Sequence, residues 1–188
     1  INCCLWDIKK KNKNLKLILK DQSNLYEITT EYLFEKLKKT ELNSKYNIIN
    51  NEMMRDIIVI SENLNLEEIK NIYSITDCYV SPYLGEGFNL TPLEAAACGT
   101  QIVVTKGGAT DDYFDKCLGY QIESTEKKIN NSYLLEPKLD SLVHILENKI
   151  INKLDNSKII RSKYVHENFS WSSAVKQLRN EFLKKLNL

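Results

Sequence analysis

Proline, glycine and histidine are all scarce in this 188-residue chain, with three, six and two residues respectively. Neither histidine is placed for chemistry. His144 falls in a predicted exposed helix and His166 just before the predicted terminal helix. The five cysteines (Cys3, Cys4, Cys78, Cys98 and Cys117) are odd in number and contain no C-x-x-C pair. That argues against a disulfide framework or a cysteine metal site, and for a reduced, cytoplasmic protein without metal. Cys78 and Cys98 lie in apolar runs, where a free thiol behaves as a small core hydrophobe. No apolar run approaches the 18 or so residues of a membrane span. No signal peptide is visible, and the start at Ile1 reads as that of a fragment. The formal net charge of +1 gives no electrostatic case for a nucleic-acid or acidic-membrane partner. "KKKNKN" and "NIINN" read as compositional bias on a solvated surface. There is no internal repeat and no Pro/Gly/Ser linker.

What is present is an alternation. "LKLILK" (Leu15–Lys20), "IIVI" (Ile57–Ile60), "CYVS" (Cys78–Ser81), "QIVVT" (Gln101–Thr105) and "LGYQI" (Leu118–Ile122) read as short strands. Helical spacing falls between them: residues 28–39 with Ile28, Tyr32, Leu33 and Leu37 on one face, then the segment carrying Leu66, Ile69, Ile72 and Tyr73. Next come Thr91–Cys98, with Pro92 in the first turn and Gly99 just past the end, and the short Ala109–Phe114. Residues 1–11 read as the end of a helix, 138–151 and about 155–166 as helices, and 40–56 and 123–137 as soft segments. The chain closes with an amphipathic helix capped near Ser170, with Trp171, Val175, Leu178, Phe182 and Leu186 on one face. That face, Trp171 included, is expected to pack on this domain or another, and Trp6 is likewise expected in packing. Short strands rich in β-branched residues, alternating with helices, predict an α/β fold with a doubly wound parallel sheet covered on both faces. The domain is assigned residues 1–166 and the helical tail 167–188. Ligands of such sheets bind beyond the carboxyl ends of the strands, here Ser81–Asn89 and Lys106–Thr110.

Five of the six glycines fall within Ser81–Gly108, "SPYLGEGFNLTPLEAAACGTQIVVTKGG". Gly85 and Gly87 permit a tight turn and close approach of a ligand. The amides between Gly87 and Thr91 precede a helix and lack intrahelical partners, so with the helix dipole they form a site for phosphate or sugar hydroxyls. Glu86 at the lip of the turn can accept two hydroxyl hydrogen bonds, and Glu94, about one turn inside the helix, suits a vicinal diol such as a ribose. An acid near a helix start also favours the dipole by itself, so either glutamate taken singly is weak evidence. "GEGFNL" is not a dinucleotide fingerprint, because Leu90 occupies the place of the third glycine.

The combination is more specific. Glu86-Gly87-Phe88-Asn89-Leu90, Glu94-Ala95-Ala96-Ala97-Cys98-Gly99 and Val103-Val104-Thr105-Lys106-Gly107-Gly108 together resemble the signature of family 4 retaining glycosyltransferases, with the family's E-x7-E spacing between Glu86 and Glu94. "NLEEIKNIYSITDCYVSPYLGEGF" upstream and "FSWSSAVKQL" downstream resemble flanking segments of that family. The resemblance implies the Rossmann-like C-terminal half of a GT-B fold, binding a nucleotide-sugar donor such as a UDP- or GDP-sugar. It further implies that Glu86 lies near the transferred sugar as the catalytic residue. The amides of Gly87, Phe88, Asn89 and Leu90, with Thr91, would contact sugar hydroxyls and diphosphate, and Glu94 would hold the ribose. Lys106, Gly107 and Gly108 are further donor-contact candidates. No cofactor or metal is implied beyond the donor itself.

The chain also departs from that pattern. The family's basic G-R…K-G segment is not found, Lys20-Asp21 stands where glycine is frequent, and Asp111 stands near the place of a glutamate. The N-terminal acceptor domain is expected to be a missing partner, which makes this chain a weakly active or inactive fragment. A non-catalytic nucleotide-sugar-binding or scaffold module of the same fold is the main alternative. A sugar-nucleotide epimerase is a lesser one, against which the E-G-F turn and the F-S-W ending argue.

Overall fold

The computed structural model describes residues 14–21, 29–41, 50–130, 132–151 and 156–186, with Ile8 and Asn43 besides. The predicted helix over 1–11, Trp6, Cys3 and Cys4 lie outside the described residues, apart from Ile8. The chain forms two compact units, Ile1–Asn65 and Leu66–Leu188.

The first unit holds strand β1 (Leu17–Lys20), helix α1 (Thr30–Lys38), the short helix α2 (Asn51–Met54) and strand β2 (Ile57–Ile60). The two strands pair in parallel, from Leu17 opposite Ile57 to Lys20 opposite Ile60. The run Ile57–Ile60 is wholly β-branched and fits a pleated surface. Two orphan amides at the start of α1 are satisfied by side chains. The Thr29 hydroxyl accepts from the Tyr32 N–H at 3.1 Å, and the buried Asp21 carboxylate accepts from the Thr30 N–H at 2.8 Å. Asp21 therefore caps a helix. The buried positions of α1 are Thr30 and Phe34, whereas Tyr32, Leu33 and Leu37 of the predicted face are exposed. Phe34 is the largest apolar side chain of the helix, and the packed face turns with it.

The second unit runs α3 (Leu66–Ile75), β3 (Cys78–Ser81), α4 (Leu90–Ala97), β4 (Gln101–Thr105), a 3-10 turn (Ala109–Asp112) and β5 (Gly119–Ile122). It continues with β6 (Ser124–Ile129), β7 (Ser132–Pro137), α5 (Leu139–Ile145) leading into a π turn (Leu146–Ile150), α6 (Lys158–Phe169) and α7 (Trp171–Lys185). The strands β3, β4 and β5 form a parallel sheet in that order, with Val80 opposite Val103 and Val103 opposite Tyr120. Parallel ladders joined through helices give the expected α/β, Rossmann-like class. The central strand β4 is covered on both faces: Ile102, Val103, Val104 and Thr105 are fully buried, which is why its sequence reads as a continuous apolar run. Each such aliphatic side chain is worth about 1.5–3 kcal/mol of burial. Leu93, Ala95 and Ala96 of α4 join Ile102, Val104, Tyr113, Leu118 and Val165 in one core. The alanines let the helix lie close on the sheet. Helix α4 ends in a Schellman motif: Gly99 takes φ +87°, its N–H donates to Ala96 O at 2.9 Å, and the Thr100 N–H donates to Ala95 O at 3.0 Å. The buried Arg161 of α6 donates through Nε to Gly99 O at 3.0 Å and ties that corner down.

Three expectations are corrected. Within 123–137, expected to be soft, Ser124–Ile129 and Ser132–Pro137 form an antiparallel hairpin with Glu126 opposite Leu135 and Ile129 opposite Ser132. Its connection begins at Asn130 with φ 55°. Cys78 and Cys98, expected in the core, are only partly buried, as is the free thiol Cys117; Cys98 sits at the end of α4, where the chain turns back towards β4. Helix α7 is capped as predicted, with Ser170 Oγ accepting from the Ser173 N–H at 3.2 Å. Its apolar face does not pack on the described residues of this chain: Trp171 is 88% exposed, and Val175, Leu178, Phe182 and Leu186 are exposed with it.

Candidate functional site

The segment from Pro82 to Asn89 joins the carboxyl end of β3 to α4, and both of its ends are anchored. At its start the buried Tyr83 locks it to β4. Its hydroxyl lies 3.0 Å from Thr105 O and 2.8 Å from Thr110 Oγ1, and its carbonyl accepts from Thr105 Oγ1 at 2.9 Å. At its end the buried Asn89 adopts the left-handed conformation, φ 60° and ψ 69°. The Asn89 side-chain amide donates to Ser81 Oγ at 2.9 Å, and the Asn89 backbone carbonyl accepts from the Tyr113 hydroxyl at 2.7 Å. The Phe88 ring leans on Tyr113 with centroids 5.2 Å apart. Between the anchors, Leu84–Phe88 face solvent, and the Glu86 carboxylate is exposed.

Asn89 has the right chemistry to cap α4 but does not do so. Its side chain is turned to Ser81 and makes no capping hydrogen bond. The first amides of α4 are therefore left open at the positive end of the helix, which favours an anion there. Substituting Gly87 would crowd nothing within 4 Å, so the space before these amides is open.

Glu94 lies on the exposed side of α4, one turn in. The Tyr73 hydroxyl of α3 stands 3.5 Å from its Oε2. Burial, with Tyr79 and Glu94 nearby, pushes the Tyr73 phenol above its ordinary range, so it stays protonated and remains a donor. Tyr79 meets Tyr73 edge-on at 5.7 Å and donates to Thr91 Oγ1 at 3.0 Å. Tyr73, Tyr79, Thr91 and Glu94 thus form a polar strip along α4.

The Gly107-Gly108 turn at the end of β4 is held from several sides. The Gly107 N–H donates to Asp111 Oδ2 at 3.0 Å, and Asp111 Oδ1 accepts from Gln121 Nε2 at 2.6 Å. Asp111 thus secures the turn. A Cβ on Gly108 would lie 2.7 Å from Leu135 Cδ1 and 2.8 Å from the Tyr83 hydroxyl, so only glycine fits between them. Lys106 is directed to Glu123 Oε1 at 2.9 Å rather than to the Glu86 turn; both partners are half exposed, and such a pair is worth little. Of the predicted site residues, Gly87–Thr91 and Glu94 gather at the start of α4. Gly107 and Gly108 are joined to them through Tyr83, and Lys106 is drawn aside. Tyr73, Tyr83, Tyr113 and the β6–β7 hairpin are the supports that sequence reasoning missed. Tyr83 stands within the loop segment itself, whereas Tyr73, Tyr113 and the hairpin come from outside it. Among the described residues no group of three or more His, Cys, Asp or Glu is placed to hold a metal ion.

A parallel α/β unit with an uncapped helix start at the carboxyl ends of its strands defines a Rossmann-like class of domain. Residues 5–144 match the family described as glycosyl transferases group 1, and the chain belongs to that family. It is similar to the uncharacterized protein 356 of Sulfolobus islandicus rod-shaped virus 1, at 27% identity over 198 residues, covering 90% of this chain and 53% of that protein. The solved structure of the GtfA/B complex superposes with a TM-score of 0.57 at 16% identity, over 98% of this chain and 32% of the other. A glycosyltransferase from Rickettsia africae ESF-5 aligns over 97% of this chain and 52% of its own, at 20% identity and a TM-score of 0.49. The chain thus spans about half the length of the viral relative.

Proposed function

We propose that this chain is the donor-binding half of a retaining glycosyltransferase of the family 4 type, taking a nucleotide-sugar such as a UDP- or GDP-sugar. The observation that carries the reading is the uncapped start of α4, flanked by Glu86 in the preceding turn and by Glu94 one helical turn on. The amides of Gly87, Phe88, Asn89 and Leu90, with Thr91, receive the diphosphate and sugar hydroxyls. Glu94, with the Tyr73 hydroxyl beside it, accepts the ribose diol. Glu86 faces the transferred sugar. In the reaction the bond from the anomeric carbon to the diphosphate breaks, one to the acceptor oxygen forms on the same face, and the acceptor's hydroxyl proton goes to the departing diphosphate. The helix start stabilises the charge that develops on the leaving diphosphate. The Gly107-Gly108 turn backs the donor loop through Tyr83. Acceptor binding falls to a second α/β domain, so this chain by itself binds donor weakly and turns over little.

The test is ligand-observed NMR, which detects millimolar affinities, with UDP-, GDP- and ADP-sugars against this chain and Glu94→Ala. One nucleotide class is expected to bind, with the signal reduced about tenfold in the variant, as for the loss of one charged hydrogen-bonding partner. Equal binding by both proteins would remove Glu94 from the ribose, and robust sugar transfer by the chain alone would refute the division of labour.

A further inference from the structure

The β6–β7 hairpin stands against both glycine-bearing turns. The Leu135 N–H, on the outer edge of β7, donates to Leu84 O at 2.7 Å. Leu134 lies where a Cβ on Gly85 would meet it at 3.3 Å, and Leu135 packs over Gly107 and Gly108. Beside this clasp is a pocket of about 230 Å³ lined by Lys106, Gly107, Glu123, Ser124, Glu126 and Leu135. That is space for roughly seven waters at about 30 Å³ each, or one sugar-sized polar group.

The charges of this pocket are unequal. The Lys106 ammonium is held by Glu123 at 2.9 Å, and Ser124 Oγ donates to Lys106 O at 2.7 Å. Glu126 is directly opposite Leu135 in the ladder, on the hairpin face that carries Ser124. With Lys106 and Glu123 cancelling, Glu126 leaves the pocket with one net negative charge. Resting on the donor-site reading above, we propose that the hairpin forms the sugar-side wall of the site and that Glu126 selects the donor by charge. Hydroxyls of a neutral sugar donate to Glu126, and the ammonium of an amino sugar pairs with it. The carboxylate of a uronic acid is repelled, and sharing Lys106 with Glu123 would put three carboxylates around one ammonium.

The experiment compares UDP-glucose with UDP-glucuronic acid and GDP-mannose with GDP-mannuronic acid by NMR titration of this chain, Glu126→Gln and Glu136→Gln. Glu136 lies on the opposite face of the hairpin, 3.5 Å from Lys127, and controls for surface charge. The chain is expected to favour the neutral member of the binding pair by about fivefold, the size of one partly screened unit-charge repulsion. Glu126→Gln should bring that ratio to about twofold or less, and Glu136→Gln should leave it unchanged. Equal affinity within a pair, or a ratio that Glu126→Gln does not move, overturns the inference while the donor reading stands. Binding of none of the four nucleotide-sugars overturns both.

Discussion

Replacing Asn89 by aspartate separates the fold of the site from its chemistry. In the native chain the side-chain amide donates to Ser81 Oγ at 2.9 Å, and Thr91 Oγ1 approaches the side-chain oxygen at 3.4 Å. An aspartate keeps the shape. The Ser81 hydroxyl can reverse and donate to the new carboxylate, and aspartate tolerates the left-handed backbone almost as well as asparagine. A negative charge at the start of α4 gains about 0.3–1 kcal/mol from the helix dipole, partly offset by its burial. Stability should therefore change by no more than about 1 kcal/mol. Binding should change more. A phosphate on the open amides would sit about 5 Å from the new carboxylate, a repulsion of about 0.8 kcal/mol per unit charge at the dielectric of water and about 3 kcal/mol at an effective value near 20. The expected loss of nucleoside-diphosphate affinity is about tenfold or more, shrinking as salt rises. Thermal melts report the first effect, and NMR titration with UDP and GDP at low and high salt reports the second. A folded Asn89→Asp chain that binds diphosphate as tightly as the native one would remove the anion from this helix start.

Gly108→Ala tests the packing of the second turn. Its Cβ would press on Leu135 Cδ1 and the Tyr83 hydroxyl, and the cost should be about 1–3 kcal/mol, read as a lowered melting temperature. Leu135→Ala in the same chain should recover part of it, and a double mutant that recovers nothing would place the strain elsewhere. Cys117 gives a pH signature, because burial, with the Asp115 carboxylate beside it, pushes its thiol from 9.0 up to about 11. The folded state holds the neutral thiol, so its contribution to stability is complete below about pH 9. It is lost as pH rises towards 11, where the unfolded chain ionises first. The difference in urea midpoint between the native chain and Cys117→Ser should shift across that window, and a constant difference would refute the assignment.

The short apolar strands were legible from their residues alone. Ile57–Ile60, Cys78–Ser81 and Gln101–Thr105 are found at the predicted positions, because a short β-branched run between turn residues has few other solutions. The helix that carries Glu94 was equally legible, since Pro92 in its first turn, its buried alanines and Gly99 at its end each answer a backbone or packing requirement, whereas Gly85 and Gly87 in the turn before it take no left-handed backbone. The hairpin was not. Ser124–Ile129 is mostly exposed, so no apolar alternation marks it, and its ladder is backbone chemistry that any polar sequence can supply. Asn130, suited to the left-handed turn, was the available signal. The face of α1 was misread for a related reason: Tyr32 and Leu33 satisfy helical periodicity, but Phe34 takes the buried place, and periodicity does not decide which apolar side chain wins.

The distribution of satisfied and open groups argues for the site more strongly than either glutamate does. The polar groups that shape the Pro82–Asn89 loop from behind are engaged: Tyr83 with Thr105 and Thr110, Asn89 with Ser81 and Tyr113, and Asp111 with Gly107 and Gln121. Among buried side chains of the described residues no nitrogen or oxygen lacks a partner. The groups in front stand exposed, namely the Glu86 carboxylate and the helix-start amides that Asn89 declines to cap, with Glu94 held only by a long contact to Tyr73. A loop kept only for packing has no reason to turn a good capping residue away from its helix and brace it against Ser81 instead. Such an arrangement costs helix stability, about 1 kcal/mol for a missing cap. A ligand that supplies the cap recovers it, and an anionic diphosphate has the charge to do so.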